Sequence, residues 1–179
     1  MPATRPILNH STCECQMQRS PNLRAMQAVD LERVCEIEKV SFKAPWSKQM
    51  IKELCGLENA VCLVLDVDDV VQGYASARVE SDEIPILHVV NLAVDSGVRR
   101  SGYGKMLLRK ILERGRDAGC EWAYLEVRTT NLAAVRLYRK AGFKIFRKRS
   151  HYYEAGSDAY EMGASIEESF KSLARRECP

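Results

Sequence analysis

The sequence predicts one mixed α/β (α+β) domain built on a central, mostly antiparallel sheet flanked by helices. Read along the chain, the hydrophobic periodicity gives a strand, two helices, three strands, a helix, a strand, a helix and two strands. The three consecutive strands are joined by short turns, which favours an antiparallel meander. With 179 residues the chain has the length of about one domain. A chain of this size buries on the order of 70% of its unfolded surface and needs neither disulfide nor metal to hold together.

Residues 1–21 are polar, without periodicity and broken by Pro2, Pro6 and Pro21, so they read as a flexible N-terminal extension. Leu23–Gln27 reads as a short strand. Asp30 is placed to cap a helix with the apolar stripe Leu31, Val34, Cys35, Ile37 and Val40. Ala44-Pro45-Trp46-Ser47 interrupts it, and Ser47 can cap a second helix from Lys48 to Cys55, ended by Gly56. Ala60–Asp66, Val70–Arg78 and Ile84–Val94 read as the meander, with turns at Asp68-Asp69 and Ser81-Asp82-Glu83. The third strand is apolar enough to be buried on both faces.

A loop then leads into a helix with Met106, Leu107, Ile111 and Leu112 on one face. Trp122–Val127 is a strand, and Asn131–Lys140 a helix capped by Asn131 and stopped by Gly142. Phe143–Arg147 and Ala159–Met162 are final strands around a loop. The domain is expected over residues 22–163. Residues 164–179 form a C-terminal tail with a short, loosely attached amphipathic helix (Ile166, Phe170, Leu173).

Composition excludes several classes. Apolar residues make up 46% and charged residues 28%, which rules out disorder of the whole chain. Net charge is +3, too little to argue for nucleic acid. The longest apolar run, Ala60–Leu65, is far short of the roughly 20 residues of a membrane span, and the first twenty residues hold no signal-like apolar core. Seven cysteines, at 13, 15, 35, 55, 62, 120 and 178, are an odd number, and several fall in apolar segments. They read as reduced core thiols of a cytoplasmic protein, with no metal-site spacing.

The stretch Arg99-Arg100-Ser101-Gly102-Tyr103-Gly104-Lys105 joins an apolar strand to a helix. Its glycines allow close backbone approach, the helix N-terminus adds a positive dipole end, and Arg99, Arg100 and Lys105 add full charges. That combination suits a pyrophosphate. Neither Gly-x-Gly-x-x-Gly nor Gly-Lys-Ser/Thr is present, because Gly104 is followed by Lys105, Met106 and Leu107. Residues 96–116 hold seven basic groups against one acid, whereas residues 66–83 hold six acids against one Arg. One surface can attract a polyanion and the other a cation.

Glu126 interrupts the apolar strand around Leu125 and Val127 and shares a face with Tyr124 and Arg128. A carboxylate inside a sheet must be paired, for which Arg128 is the local partner, or used. Tyr138 lies seven residues after Asn131, near the same helix face, and an isolated tyrosine there reads as core filler with its hydroxyl satisfied. His88, in an apolar strand, reads as a satisfied buried histidine. His151, in a loop with Tyr152 and Tyr153, either shapes a substrate site or is solvated.

Together these landmarks resemble the GNAT superfamily of acetyl-CoA-dependent N-acetyltransferases. Its Arg/Gln-x-x-Gly-x-Gly/Ala pattern is matched by Arg99, Gly102 and Gly104. Ala44–Ser47, Asn91–Asp95, Leu125–Phe143, Tyr152-Tyr153 and Asp158–Met162 resemble more closely the ribosomal-protein-alanine N-acetyltransferase (RimI) group, over about residues 23–163. The resemblance implies a single GNAT-like domain with acetyl-CoA as co-substrate and no metal. It implies that Leu92, Ala93 and Val94 contact the acetyl and pantetheine portion through strand backbone. Arg99, Arg100, Ser101, Gly102, Tyr103, Gly104 and Lys105 would hold the pyrophosphate, and Asn131 the pantetheine arm. Glu126 would be general base and Tyr138 general acid. The implied acceptor is a protein N-terminus, in particular the N-terminal alanine of a small-subunit ribosomal protein; broader N-termini, a lysine or a small amine are the alternatives within the same chemistry. A non-turnover acyl-CoA sensor would have no use for the acid and base. No direct contact with nucleic acid or membrane is expected, and the chain is expected to be a monomer or weak dimer.

Overall fold

The computed structural model of the chain describes residues 20–80, 83–153 and 156–174. Seven strands form one sheet: β1 (Asn22–Ala25), β2 (Ala60–Val67), β3 (Val70–Glu80), β4 (Ile86–Val94), β5 (Trp122–Arg128), β6 (Lys144–Tyr153) and β7 (Ser157–Ser165). Their order is β1-β2-β3-β4-β5-β7-β6, and every neighbouring pair is antiparallel except β4 with β5. Among the described residues five α-helices cover the sheet: α1 (Leu31–Ser41), α2 (Lys48–Cys55), α3 (Tyr103–Asp117), α4 (Leu132–Lys140) and α5 (Ile166–Ala174). The meander β2–β3–β4 and the element order agree with the periodicity of the sequence.

Alternation in the strands sends side chains to two cores. Helices α3, α4 and α5 close one face over Leu63, Leu65, Ala75, Ala77, Leu87 and Leu125. Helices α1 and α2 close the other over Val64, Val71, Tyr74 and Ala93. On α3 the stripe is Leu107, Leu108, Ile111 and Leu112, all fully buried at about 1.5–3 kcal/mol each, while Met106 is only partly covered. A Cβ at Gly115 would lie 2.6 Å from Leu87 Cδ2, so glycine there lets α3 sit close against β4.

A bulge in β4 decides where the site forms. Ser76 pairs with Asn91 and Ala77 with Val89, so Val90 is the extra residue. The inserted residue reverses the alternation. Leu87 and Val89 face the α3 core before it, and Leu92 and Val94 after it, which turns Asn91 and Ala93 toward α1. The parallel ladder to β5 runs only over Ile86–His88 against Trp122–Tyr124. Beyond it the two strands part.

Several expectations change. Asp30 does not cap α1 with its side chain. Its carboxylate accepts the Gln27 N–H at 2.7 Å and a bidentate pair from Arg24 at 2.7 and 2.8 Å, and Arg24 Nε also reaches Asp66 at 2.9 Å. This knot ties β1 and β2 to the start of α1. Val40 is 67% exposed, and Glu38, two turns from Leu31 and one from Val34, takes the buried position instead. Ile84 and Ile86 are exposed, so the third meander strand is buried on both faces only further along. β6 runs on to Tyr153, so His151 lies in an irregular part of a strand, with φ 54°, and not in a loop. Helix α5 is not loosely attached: Ile166 and Leu173 are buried in the α3 core. Ser47 and Asn131 cap α2 and α4 as the sequence indicates, accepting from Met50 and Ala134. Residues 1–19 and 175–179, with Cys13, Cys15 and Cys178, lie outside the described residues, as do Ser81 and Asp82 of one expected turn. Cys35, Cys55, Cys62 and Cys120 are free thiols. Among the described residues no helix is long and apolar enough to cross a membrane.

Candidate active site

Where β4 and β5 part, two cavities meet. The larger, about 790 Å3, runs from the α3 N-terminus to α4 and is lined by Leu92, Ala93, Val94, Arg100, Gly102, Tyr103, Gly104 and Lys105 on one side. Asn131, Ala134, Leu137 and Lys140 line its other side. The second, about 530 Å3, lies toward α1 and α2 and is lined by Glu38, Phe42, Pro45, Trp46, Met50, Glu126, Tyr138, Tyr152 and Tyr153, among others. Phe42, Leu92, Arg128, Asn131 and Ala134 line both.

The first cavity has the features of an anion cradle. Gly102 has φ 86° and Arg100 φ 71°, and left-handed residues in a turn gather N–H groups into a concavity. Met106 N–H bonds to Gly102 O at 3.1 Å, and the Tyr103 and Gly104 amides lie in the first turn of α3, where a helix presents its N–H groups. A Cβ at Gly104 would point toward Leu137, Leu92 and Val94, into the junction of the strand with α4. Arg99 lines the cavity while bracing its wall: it donates to Val94 O and to Ser41 Oγ, both at 3.1 Å. Ser101 is exposed and does not line the cavity. Asn131 accepts the Ala134 N–H through Oδ1, which leaves its amide NH2 as the donor it can offer. These residues fit a pyrophosphate joined to a narrow, partly apolar arm.

The second cavity gathers the acid–base groups. β5 buries Ala123, Leu125 and Val127 on one face and leaves Tyr124, Glu126 and Arg128 on the other. Glu126 does not pair with Arg128. Its Oε2 lies 2.8 Å from His88 Nε2, and His88 Nδ1 lies 3.3 Å from Glu80 Oε1. The His88 ring stacks on Tyr124 at 4.3 Å, and Tyr124 donates to Glu80 at 2.5 Å. Arg128 instead lies over the Tyr153 ring, 4.1 Å from its centroid. His88 is therefore satisfied, as its apolar strand suggested, and it is satisfied by the candidate base.

Tyr138 is 7% exposed, and its hydroxyl makes no hydrogen bond among the described residues. Burial, with Tyr153 adding to it, pushes its phenol up from the ordinary value, so it is a neutral donor at physiological pH. Burial likewise pushes Tyr153 up to about 12. His151 is exposed, gives its backbone N–H to Asp158, and does not line either cavity. Sequence reasoning missed Glu38, which is 1% exposed at the edge of this cavity. Its spacing of seven from Leu31 and four from Val34 marked it as a carboxylate on a buried face.

A sheet split beside a helix N-terminus, with glycines at one end of the cleft and a carboxylate and a phenol at the other, is the arrangement expected of an acyl-CoA-dependent transferase. The Acetyltransferase (GNAT) family pattern matches residues 31–143, so the chain belongs to that family and is an N-acetyltransferase that uses acetyl-CoA as co-substrate. It is 31% identical over 163 residues to an N-alpha-acetyltransferase of Sulfurisphaera tokodaii, covering 86% of this chain and 98% of that protein. It is 33% identical over 144 residues to the [ribosomal protein bS18]-alanine N-acetyltransferase of Salmonella typhimurium, covering 79% and 95%. The crystal structure of the ribosomal-protein-S18-alanine N-acetyltransferase from Escherichia coli superposes with a TM-score of 0.74 at 27% identity, covering 82% of this chain and 94% of that one.

Proposed function

We propose that the chain is an N-alpha-acetyltransferase that moves acetyl from acetyl-CoA to a protein α-amine, with the N-terminal alanine of a small-subunit ribosomal protein as its acceptor. The observation that carries the reading is the meeting of the two cavities at Leu92, Asn131 and Ala134, with Glu126 and Tyr138 both in the acceptor half. The name of the Sulfurisphaera relative supports an α-amine as acceptor, and that of the Salmonella relative the N-terminal alanine of a ribosomal protein.

Acetyl-CoA supplies a thioester carbonyl as the electrophile. Gly102, Tyr103, Gly104 and Lys105 hold its pyrophosphate through helix N-terminal amides, with Arg100 adding charge. Unpaired backbone groups of β4 between Leu92 and Val94 orient the arm and polarise the carbonyl. An acceptor α-ammonium has a pKa near 7.7–8.0 and is mostly charged at pH 7. Glu126 takes its proton, directly or through a water, and the free amine attacks the carbonyl. His88 and Glu80, which is 38% exposed in its side chain, extend Glu126 toward solvent and give that proton a way out. The C–N bond forms and the C–S bond breaks. The nitrogen then gives its second proton, through water, to Tyr138 as Tyr138 passes its own to the departing sulfur, so the phenol ends neutral. The balance is one proton released per acetyl transferred. A phenol raised by burial is a weaker acid than a thiol in water, so Tyr138 acts by hydrogen-bonding the developing thiolate inside the same dry wall and completing the transfer as the sulfur leaves.

The test is mass spectrometry of the purified protein with acetyl-CoA and peptides that begin with alanine, against the same peptides blocked at the α-amine and carrying an internal lysine. Acetylation of the free N-terminus alone supports the reading. Acetylation of the blocked, lysine-bearing peptide at a comparable rate refutes it.

A further inference from the structure

Between α1 and α2 the chain crosses one side of the acceptor cavity as Phe42–Trp46, without regular secondary structure. Phe42, Pro45 and Trp46 form the wall. At its near end Phe42 N–H closes on Glu38 O, and at its far end Ser47 caps α2. Between these anchors one side chain holds it. Glu38 Oε1 accepts the Trp46 backbone N–H at 3.0 Å and Asn91 Nδ2 at 3.1 Å, and Oε2 accepts the Tyr74 hydroxyl. A buried carboxylate is costly unless its lone pairs are used. Here they are used on three separate pieces of structure: the wall, β3 and β4. Asn91 is the residue before Leu92, and the Val90 bulge is what turns it toward α1. The wall is thus tied to the strand segment that faces the co-substrate.

We propose that Glu38 is a positioning residue, which latches the Phe42–Trp46 wall to Asn91 of β4 and so fixes the acceptor amine relative to the acyl carbonyl beside Leu92. The inference rests on reading the 530 Å3 cavity as the acceptor side. Glu38 acts through Trp46 and Asn91 and transfers no proton. Reacting atoms must be held within a narrow range, and a shift of about 1 Å in a wall far from the chemistry can cost on the order of 10²-fold in rate.

The experiment uses Glu38→Ala and Glu38→Gln in the full chain. A glutamine Oε1 still accepts from Trp46 and Asn91, and its NH2 can face the Tyr74 hydroxyl. Glu38→Ala should raise the KM for an alanine-initiated peptide at least tenfold and leave the acetyl-CoA Kd, from calorimetry, within twofold. It should also speed hydrogen exchange of the Trp46 amide at least tenfold. Glu38→Gln should restore all three to near wild type. Loss of peptide and acetyl-CoA binding together overturns the proposal, because Glu38 is then only core support. An unchanged peptide KM with a freed Trp46 amide also overturns it. If Glu38→Ala does not fold, Tyr74→Phe removes one donor without a large cavity. It should raise the peptide KM two- to threefold with acetyl-CoA binding intact, and no rise overturns the latch. If the wild type acetylates no α-amine, the functional reading has failed on its own. The latch then stands or falls on whether Glu38→Ala frees the Trp46 amide.

Discussion

Replacing Glu126 by Gln removes a charge while keeping size and most hydrogen bonding, because a glutamine at this position still reaches His88 Nε2 across the 2.8 Å contact. If Glu126 takes the ammonium proton, kcat at pH 7 should fall about 10²–10⁴-fold, or roughly 2.7–5.4 kcal/mol of barrier. Part of the loss should return with pH. An α-amine of pKa 7.7–8.0 is about 9–17% neutral at pH 7 and more than 90% neutral at pH 9, so the variant should gain roughly six- to tenfold between them. The wild type should gain less, since it makes its own neutral amine. Acetyl-CoA affinity should not change, because Glu126 lines only the acceptor cavity. The assay is a pH–rate profile of both proteins on one alanine-initiated peptide, with a thermal melt of each. If Glu126, His88 and Glu80 form one relay, adding His88→Gln to the variant should cost little more. An equal loss at pH 7 and pH 9, with a melting temperature several degrees lower, would show that Glu126 only supports the strand and would refute the assignment.

Tyr138→Phe should lower kcat about 10²-fold with little change in acetyl-CoA affinity, and steady-state kinetics with wild-type turnover would make Tyr138 core filler. Gly102→Val forces a β-branched residue to φ 86° at the head of the cradle, where its Cβ meets no protein atom within 4 Å. Acetyl-CoA should therefore bind at least tenfold more weakly by calorimetry, about 1.4 kcal/mol, and unchanged binding removes the cradle. Asp30→Asn tests the Arg24 knot. The Arg24 guanidinium holds the Asp30 carboxyl below its ordinary value, so the ion pair stabilises above the usual carboxylate range and is lost as pH falls through the folded-state value. With Arg24 a third exposed, the variant should lose about 1–3 kcal/mol at pH 7. The gap should begin to close below about pH 4 and vanish only below the folded-state value, and denaturant melts at pH 7 and at about pH 2.5 showing the same gap would rule out the charge.

Local periodicity made much of this fold legible. Alternation around Leu125 and Val127 puts Glu126 on the open face of β5, and the glycines at 102 and 104 mark the strand-to-helix turn, where Gly102 adopts φ 86°. What escaped was set by other parts of the chain. The Val90 bulge is one residue in an otherwise regular apolar run, and only pairing with β3 shows which residue is extra. The local spacing offers Glu126 a partner in Arg128, two residues away, but its partner is His88, which the parallel ladder sets opposite Tyr124. Glu38 sat on the apolar stripe in plain view, but its three donors come from segments up to 53 residues distant. The sequence shows only residues 143–147 as strand where β6 runs to Tyr153, because a strand at the sheet edge buries few side chains and shows little alternation.

The parting of β4 from β5 leaves a sheet whose backbone pairing is incomplete within the chain itself. A ligand arm lying along that opening would take the place of missing ladder and become, in thermodynamic terms, part of the fold. Stability and co-substrate supply are then linked: a ligand at 100 times its Kd adds about 2.7 kcal/mol to the folded state. A chain between turnovers carries less of that stabilisation than a loaded one. The amides of Leu92–Val94 should be the place where the difference is read, open to exchange when the cavity is empty and protected when it is filled.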